Sequence, residues 1–317
     1  MPDLTIDPAT ARIAIIGAGA VGGYYGGRLA LKGHEVHFLL RSDFEAVRQN
    51  GLRVQSTAGD FRLAHPQIYR DTASIGPCDL VVIALKNTHN SSLYELIPPL
   101  LKPGTLLLTL QNGLGNEDFL TAAFPDHEVL GGLCFVCINR TAPGHIQHIA
   151  QGQITLGEHN RPSLPRTHAL AATFKAAGIP CNVDDSLTRA RWKKLVWNIP
   201  FNGLSIAAGR LDTAAILASE PLSALVRDLM HEVISTANHL GHEIPVSLAD
   251  EMISRTRTMT RYKPSSLIDF EAGHEVELDA IWSEPARQAR AAGHPMPRVE
   301  MLAQLLQNAI ETRRVSL

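Results

Sequence analysis

IAIIGAGAVGGYYGG, residues 13–27, decides how the first half of the chain folds. Ile13 to Ile16 is a short apolar run of strand character. Gly17-Ala18-Gly19-Ala20-Val21-Gly22 follows it with the G-x-G-x-x-G spacing of a dinucleotide-binding turn. Each glycine has its own physical task. Gly17 permits the tight strand-to-helix turn, Gly19 lets the backbone approach a pyrophosphate, and Gly22 lets the helix settle closely on the strand. The N–H groups at the helix start, together with its dipole, then suit an anion. A helix-compatible segment runs on to Lys32 and is closed by Gly33, and Glu35 to Leu40 reads as a second strand. Glycine spacing alone also marks ordinary turns; strand before and helix and strand after supply the context that a dinucleotide site requires.

A chain of 317 residues suggests two domains at a prior of about 150 residues each. Hydrophobic content of 45% with 19% charged residues is ordinary for a globular protein with a sizeable core. A net charge of −2 without a basic stripe argues against nucleic acid or an anionic membrane as partner. No apolar run approaches the ~18 residues of a membrane span. The first residues, MPDLTIDPATAR, lack the basic-then-apolar pattern of a leader, so a cytoplasmic location is expected. Four cysteines in a chain of this length do not make a disulfide framework. Cys134-Phe135-Val136-Cys137 sits in what reads as a buried strand and is expected to supply core thiols. His145/His148 and His239/His242 lack a third ligand at metal spacing and read as surface or loop histidines, so no metal is expected.

The first half alternates short β-type runs with helical ones, the pattern of a parallel sheet with crossover helices. Ser42 is expected to cap a short helix to about Gln49, and residues 51–54 and 61–63 read as a hairpin insertion. Asp79 to Leu85 and Thr105 to Leu110 are continuous apolar strands, with helical character between them up to Leu101. Two more strands, Val129 to Ile138 and Ile146 to Leu156, flank a Pro143-Gly144 turn. A helix at 164–177 and a strand at 181–183 complete this half. From Ser186 onward only helical periodicity remains. The expected fold is an α/β Rossmann-type N-terminal domain, residues 1–184, which binds NADP, followed by an all-α C-terminal domain, residues 185–317, which binds substrate and carries the catalysis.

The cofactor is read from the end of the second strand. An acid there grips free ribose hydroxyls, whereas Arg41 follows Leu40 and suits a 2′-phosphate, so NADP(H) is favoured over NAD. Asp43 is the residue that could play the NAD-type role instead. In open α/β sheets ligands lie outside the carboxyl ends of the strands, which directs Lys86 and Asn112 toward the cofactor cleft. Asn112-Gly113 is equally a plain turn dipeptide.

The segment 186–209 is a mostly apolar helix with a polar row, Lys194, Asn198 and Asn202, each four residues apart. At about 100° per residue the three lie within an arc of roughly 80° on one face. Burying them unpartnered would cost ~1–3 kcal/mol per amide and more for the ammonium, so the row faces water, a polar partner or a ligand. A lysine backed by two amides suits an oxoacid: the ammonium polarises the carbonyl and donates its proton as hydride arrives. Pro264-Ser265-Ser266 suits a helix cap or a substrate carboxylate. Glu277 and Asp279 could complement Lys194 or grip cofactor hydroxyls.

Taken in order, GAGAVG, Leu85-Lys86-Asn87, Gln111-Asn112-Gly113-Leu114-Gly115, the Trp192-Lys193-Lys194-Leu195 helix with Asn198 and Asn202, Pro264-Ser265-Ser266 and Glu277-Leu278-Asp279 resemble the 2-dehydropantoate 2-reductase (ketopantoate reductase) family over essentially the whole chain. The resemblance implies NADPH-dependent reduction of 2-dehydropantoate to (R)-pantoate on the way to pantothenate and coenzyme A, at a site between a dinucleotide domain and a helical one. It makes Lys194 the proton donor, Asn198 and Asn202 substrate ligands, and Asn112 a ligand at the junction of cofactor and substrate. Ser265 or Ser266 would bind the carboxylate, and Glu277 would contact the cofactor or pair with Lys194. The alternatives are an NADPH-dependent reductase of another 2-oxoacid and a non-catalytic NADP-binding redox regulator. Dimerisation through the helical half is compatible with its apolar faces.

Overall fold

The computed structural model describes residues 11–259 and 261–315. The stretch 1–10, most of the segment read above for a leader, lies outside the described residues. The chain divides into two compact units, one running to Gln111 and resuming over Asn116–Leu187, the other comprising Asn112–Gly115 and Thr188–Leu317.

The first unit is built on a ten-stranded sheet. Its elements are β1 (Arg12–Ile16), α1 (Ala20–Leu31), β2 (Glu35–Leu39), α2 (Phe44–Asn50), β3 (Leu52–Ser56), β4 (Phe61–Leu63), β5 (Gln67–Tyr69), β6 (Leu80–Ile83), α3 (Leu93–Leu96), β7 (Leu106–Thr109), α4 (Asn116–Ala123), β8 (Glu128–Ala142), β9 (His145–Glu158), α5 (Pro165–Ala176) and β10 (Cys181–Val183). The strands lie in the order β4-β3-β9-β8-β7-β6-β1-β2-β5, with β10 also on β9. β1 pairs in parallel with both β2 and β6, and β6–β7 and β7–β8 continue the parallel run. β8 and β9 form a long antiparallel hairpin.

The alternation of side chains along the central strands produces two cores. Ile13, Ile15, Leu80, Val82, Leu106 and Leu108 pack on one face of the sheet. Ala14, Ile16, Val81, Ile83 and Leu107 pack on the other. Continuous apolar runs are therefore what a sheet covered on both faces demands. Glycines bring α1 down onto it: a Cβ on Gly26 would stand 2.8 Å from both Ile15 and Phe38.

Several expectations change in the structure. The helix expected up to Leu101 is two 3-10 turns, Asn87–Ser92 and Pro98–Leu100, around the single turn of α3. Asn, Ser and a Pro-Pro pair favour local turns over a continuous ladder. Helix α2 begins after Asp43, and the Ser42 hydroxyl bonds the Asp43 carboxylate (2.9 Å) instead of capping the helix. β5, which runs parallel to β2, carries too little pattern in three residues to be read from sequence. His145 and His148 lie on β9, not on a loop. His148 is buried: its Nδ1 meets Ser56 Oγ at 2.8 Å, its Nε2 donates to the Ala150 and Gln151 carbonyls, and its ring packs on Tyr24. Cys134 and Cys137 are both buried on β8, with breaks in the β8–β9 register between Phe135 and Val136 and between Cys137 and Ile138.

The second unit is helical: α6 (Leu187–Ala207), α7 (Thr213–Ala218), α8 (Glu220–His239), α9 (Leu248–Thr258), α10 (Ser265–Glu271), a π-helical turn at Asp279–Ser283, α11 (Glu284–Ala291) and α12 (Pro297–Val315). Trp192, Ile199, Phe201, Met230, Trp282 and Leu306 are fully buried in its core. Pro200 removes one helical donor from α6. Nearby, the indole N–H of Trp282 donates to the Ile199 carbonyl at 3.1 Å, and a Cβ on Gly203 would stand 2.5 Å from Leu302. The π-helical turn also captures the Asn112–Gly115 loop. Leu114 N–H donates to the Ala280 carbonyl at 2.9 Å. Gly113, at φ +81°, would place a Cβ only 2.3 Å from that same oxygen.

Gly113→Ala is therefore expected to lower stability by roughly 2–4 kcal/mol in urea titration, through a strained φ and a backbone clash. Unchanged stability would contradict this account of the loop. Acid should also weaken the fold. Burial lowers the pKa of His37 and of His148 below the ordinary 6.5. The unfolded chain therefore takes up protons that the folded chain refuses, and stability complete above that range drains away as pH falls through it. A melting temperature that falls between about pH 7 and pH 5.5 is expected, and one that rises would be inconsistent with these buried neutral imidazoles.

Candidate active site

The glycine turn is constrained on one side and open on the other. Gly17 has φ +94°, and a Cβ there would stand 2.5 Å from the Leu85 amide nitrogen. Gly22 is equally closed, its notional Cβ 2.4 Å from the Gly17 carbonyl oxygen. Gly19 is the N-cap of α1, no side chain caps the helix, and nothing lies within 4 Å of where its Cβ would be. Ala18, Ala20 and Val21 are half-buried beside it. A twelve-residue helix thus presents uncapped N–H groups to open space, a cradle that fits a dinucleotide pyrophosphate.

Arg41 follows β2 and is exposed. Asp43, the acid that could have taken the NAD-type role, is buried and turned to other work. It accepts from Ser42, from the Arg140 guanidinium and from the Gly144 amide. Lys86 is half-buried beyond the end of β6 and opens the first 3-10 turn.

Both stems of the Asn112–Gly115 loop are tied by one residue. Asn90 Oδ1 accepts from Gln111 Nε2 at 2.7 Å, and Asn90 Nδ2 donates to Asn116 Oδ1 at 3.3 Å. Thr109 Oγ1 donates to Gln111 Oε1 at 3.0 Å. Sequence reading missed Asn90, because only the tertiary return of the chain brings it beside residues about twenty positions away.

In the second unit the polar row on α6 is no solvated stripe. Lys194 is half-buried, while Asn198 and Asn202 are 8% and 2% exposed. The Lys194 ammonium donates to Asn112 Oδ1 at 2.8 Å, and Asn112 Nδ2 faces Glu277 Oε2 at 3.4 Å. These partners fix the amide's orientation, oxygen toward the cation and nitrogen toward the carboxylate. Glu277 is buried and immediately precedes the π-helical turn, a kind of irregularity that recurs at functional sites. At the far end of the row, Asn202 Oδ1 accepts from the Ser266 amide at 3.0 Å and faces Ser265 Oγ at 3.4 Å. The two serines are thus the first residues of α10, not its cap. Asp279 stands apart from the row, exposed and paired with Arg287 at 2.7 Å.

The structure therefore brings Lys194, Asn112 and Glu277 together, and separately Asn202, Ser265 and Ser266, with Asn198 between the two groups on the helix. Within one unit this arrangement presents a cation held by an amide that also faces a carboxylate, then amide and hydroxyl donors. A 2-oxoacid demands such a sequence: a proton source for the carbonyl oxygen and donors for the carboxylate.

Comparison with known proteins agrees. Residues 13–161 match the model of the family described as ketopantoate reductase PanE/ApbA, and residues 186–311 match its C-terminal counterpart. A 2-dehydropantoate 2-reductase from Nostoc sp. is 41% identical over 296 residues, covering 92% of each chain. Among solved structures, 2-dehydropantoate 2-reductase from Geobacter metallireducens superposes with a TM-score of 0.91 at 48% identity, over 94% of this chain and 99% of that one. The enzyme of the same name from Methylococcus capsulatus gives 0.87 at 36% identity, over 95% and 97%. With the α/β unit, the glycine turn and the lysine–asparagine helix all matched along its length, the chain belongs to the ketopantoate reductase family.

Proposed function

We propose that this protein reduces 2-dehydropantoate to (R)-pantoate with NADPH, and that Lys194 is the proton donor. The observation that carries the reading is the line from Lys194 through Asn112 to Glu277, which holds an ammonium half-buried beside a buried carboxylate. The nicotinamide, when bound, supplies the hydride. The protein's own part is to hold the substrate, keep the ammonium charged and deliver one proton to the ketone oxygen. Asn112 keeps the Nζ in place, its own amide fixed by the Glu277 carboxylate. Asn198 and Asn202 orient the substrate. With its Oδ1 engaged by Ser266, Asn202 has its NH2 left to donate, and the hydroxyl of Ser265 or Ser266 completes the grip on the carboxylate. Gly17, Ala18, Gly19, Ala20, Val21 and Gly22 would hold the pyrophosphate, Arg41 the 2′-phosphate, and Lys86 a further phosphate charge.

Two domains do this work in the proposal, residues 1–184 for NADP and residues 185–317 for the substrate. Among the described residues no helix is long and apolar enough to cross a membrane. A cytoplasmic enzyme acting on a small molecule, without nucleic acid, is the reading that fits. Self-association as a homodimer is supported by Met301 and Leu305, one turn apart on α12 and each 51% exposed.

Steady-state NADPH oxidation against a panel of 2-oxoacids tests the substrate, and ketopantoate should have the highest kcat/KM. If simple pyruvate-like acids match it, the substrate is another 2-oxoacid, and no turnover on any acid would leave only a binding role. Lys194→Ala should lower kcat by roughly 10²–10⁴ while leaving NADPH affinity in place, the usual size of a lost general acid. An unchanged kcat would remove Lys194 from the chemistry. Arg41→Asp should weaken NADPH relative to NADH, and equal effects on both would remove Arg41 from the 2′-phosphate site.

A further inference from the structure

The loop after β2 carries two opposite charges, Arg41 and Asp43, at the place where dinucleotide domains read the adenosine ribose. An accessible carboxylate there would accept from ribose hydroxyls and repel a 2′-phosphate. The first unit disposes of this conflict through the tip of the β8–β9 hairpin. Asp43 is 4% exposed and both of its oxygens are engaged. Oδ1 accepts from the Ser42 hydroxyl (2.9 Å) and from the Arg140 guanidinium, and Oδ2 accepts from the Gly144 amide (3.0 Å). The same guanidinium reaches Ser42 Oγ at 3.4 Å, so it lies against the loop itself, with its side chain 38% exposed. Gly144 is at φ +71° in the turn between the two strands, which aims its N–H at the carboxylate.

We propose that Arg140 sets the cofactor preference by neutralising Asp43 and keeping its carboxylate turned away from the ribose, so that Arg41 alone determines the sign of the loop. This rests on the NADPH reading and extends it to a residue about a hundred positions downstream. Arg140 acts here as a positioning residue: its effect on the 2′-phosphate passes through Asp43 and not through a contact of its own. Without Arg140 the charges of Arg41 and Asp43 cancel, and the acid, held then only by the Ser42 hydroxyl and the Gly144 amide, is free to turn toward the ribose hydroxyls. The preference for a 2′-phosphate then falls while the site for the rest of the nucleotide stays intact.

Calorimetric titration with adenosine 2′,5′-bisphosphate and with adenosine 5′-monophosphate tests this without turnover. Arg140→Met should weaken the bisphosphate by about tenfold or more and leave the monophosphate within about twofold, as expected of one uncompensated charge near a protein surface. The double variant Asp43→Asn/Arg140→Met should return the bisphosphate to within about threefold of the wild type. Equal losses for both ligands, or no loss, would overturn the proposal. A double variant as weak as Arg140→Met would also overturn it, since Arg140 would then meet the phosphate itself. Should Arg140→Met not fold, the double variant carries the test alone: it must keep the wild-type preference, and its loss overturns the proposal. A wild type that binds both ligands equally would defeat the NADPH reading itself, a result distinct from failure of the Arg140 variants.

Discussion

A lysine ammonium half-withdrawn from water is costly unless something answers its charge, and the second unit is arranged to answer it. The ammonium donates to the neutral oxygen of Asn112 at 2.8 Å, and the nitrogen of the same amide faces the Glu277 carboxylate. An amide with its oxygen on a cation and its nitrogen on a carboxylate is fixed in orientation, and it fixes the ammonium in turn. The proposed chemistry depends on that placement.

Two backbone irregularities and one close helix approach build this arrangement. Gly113 takes a φ that other residues avoid and leaves no Cβ to strike Ala280, so the loop carrying Asn112 can lie against the π-helical turn. That turn follows directly on Glu277, so one segment supplies both the carboxylate and the anchor for the amide. Gly203 performs the corresponding service for α6, letting it approach Leu302 on α12 closely. Around these points the core is closely packed, with Trp192 and Trp282 wholly buried. A proton donor must be held to within about half an ångström, and packed aromatic residues serve this better than a mobile loop would.

Much of this was legible in the sequence because periodicity and local chemistry pointed the same way. The alternation of β1, β6 and β7 between two cores is written in their unbroken apolar runs. The row at positions 194, 198 and 202 stood out because amides at helical spacing among Trp and Phe have no bland explanation. What escaped depends on tertiary return. Asn90 bridges Gln111 and Asn116, and Arg140 neutralises Asp43, yet neither partner can be inferred from spacing. His148 misled for the opposite reason: a histidine near a turn looks like surface until Ser56, Tyr24 and two carbonyls close around it. Asp279 was drawn into the site by its nearness to Glu277, but it is exposed and pairs with Arg287.

Everything rests on where the Lys194 ammonium points when ligands are present. A crystal structure of the protein with NADP and pantoate measures this directly. Nζ is expected within about 3 Å of the oxygen on the substrate's C2 carbon, with Asn112 still bonded to it. An Nζ directed at the substrate carboxylate, with another donor or a water at the C2 oxygen, would contradict the account.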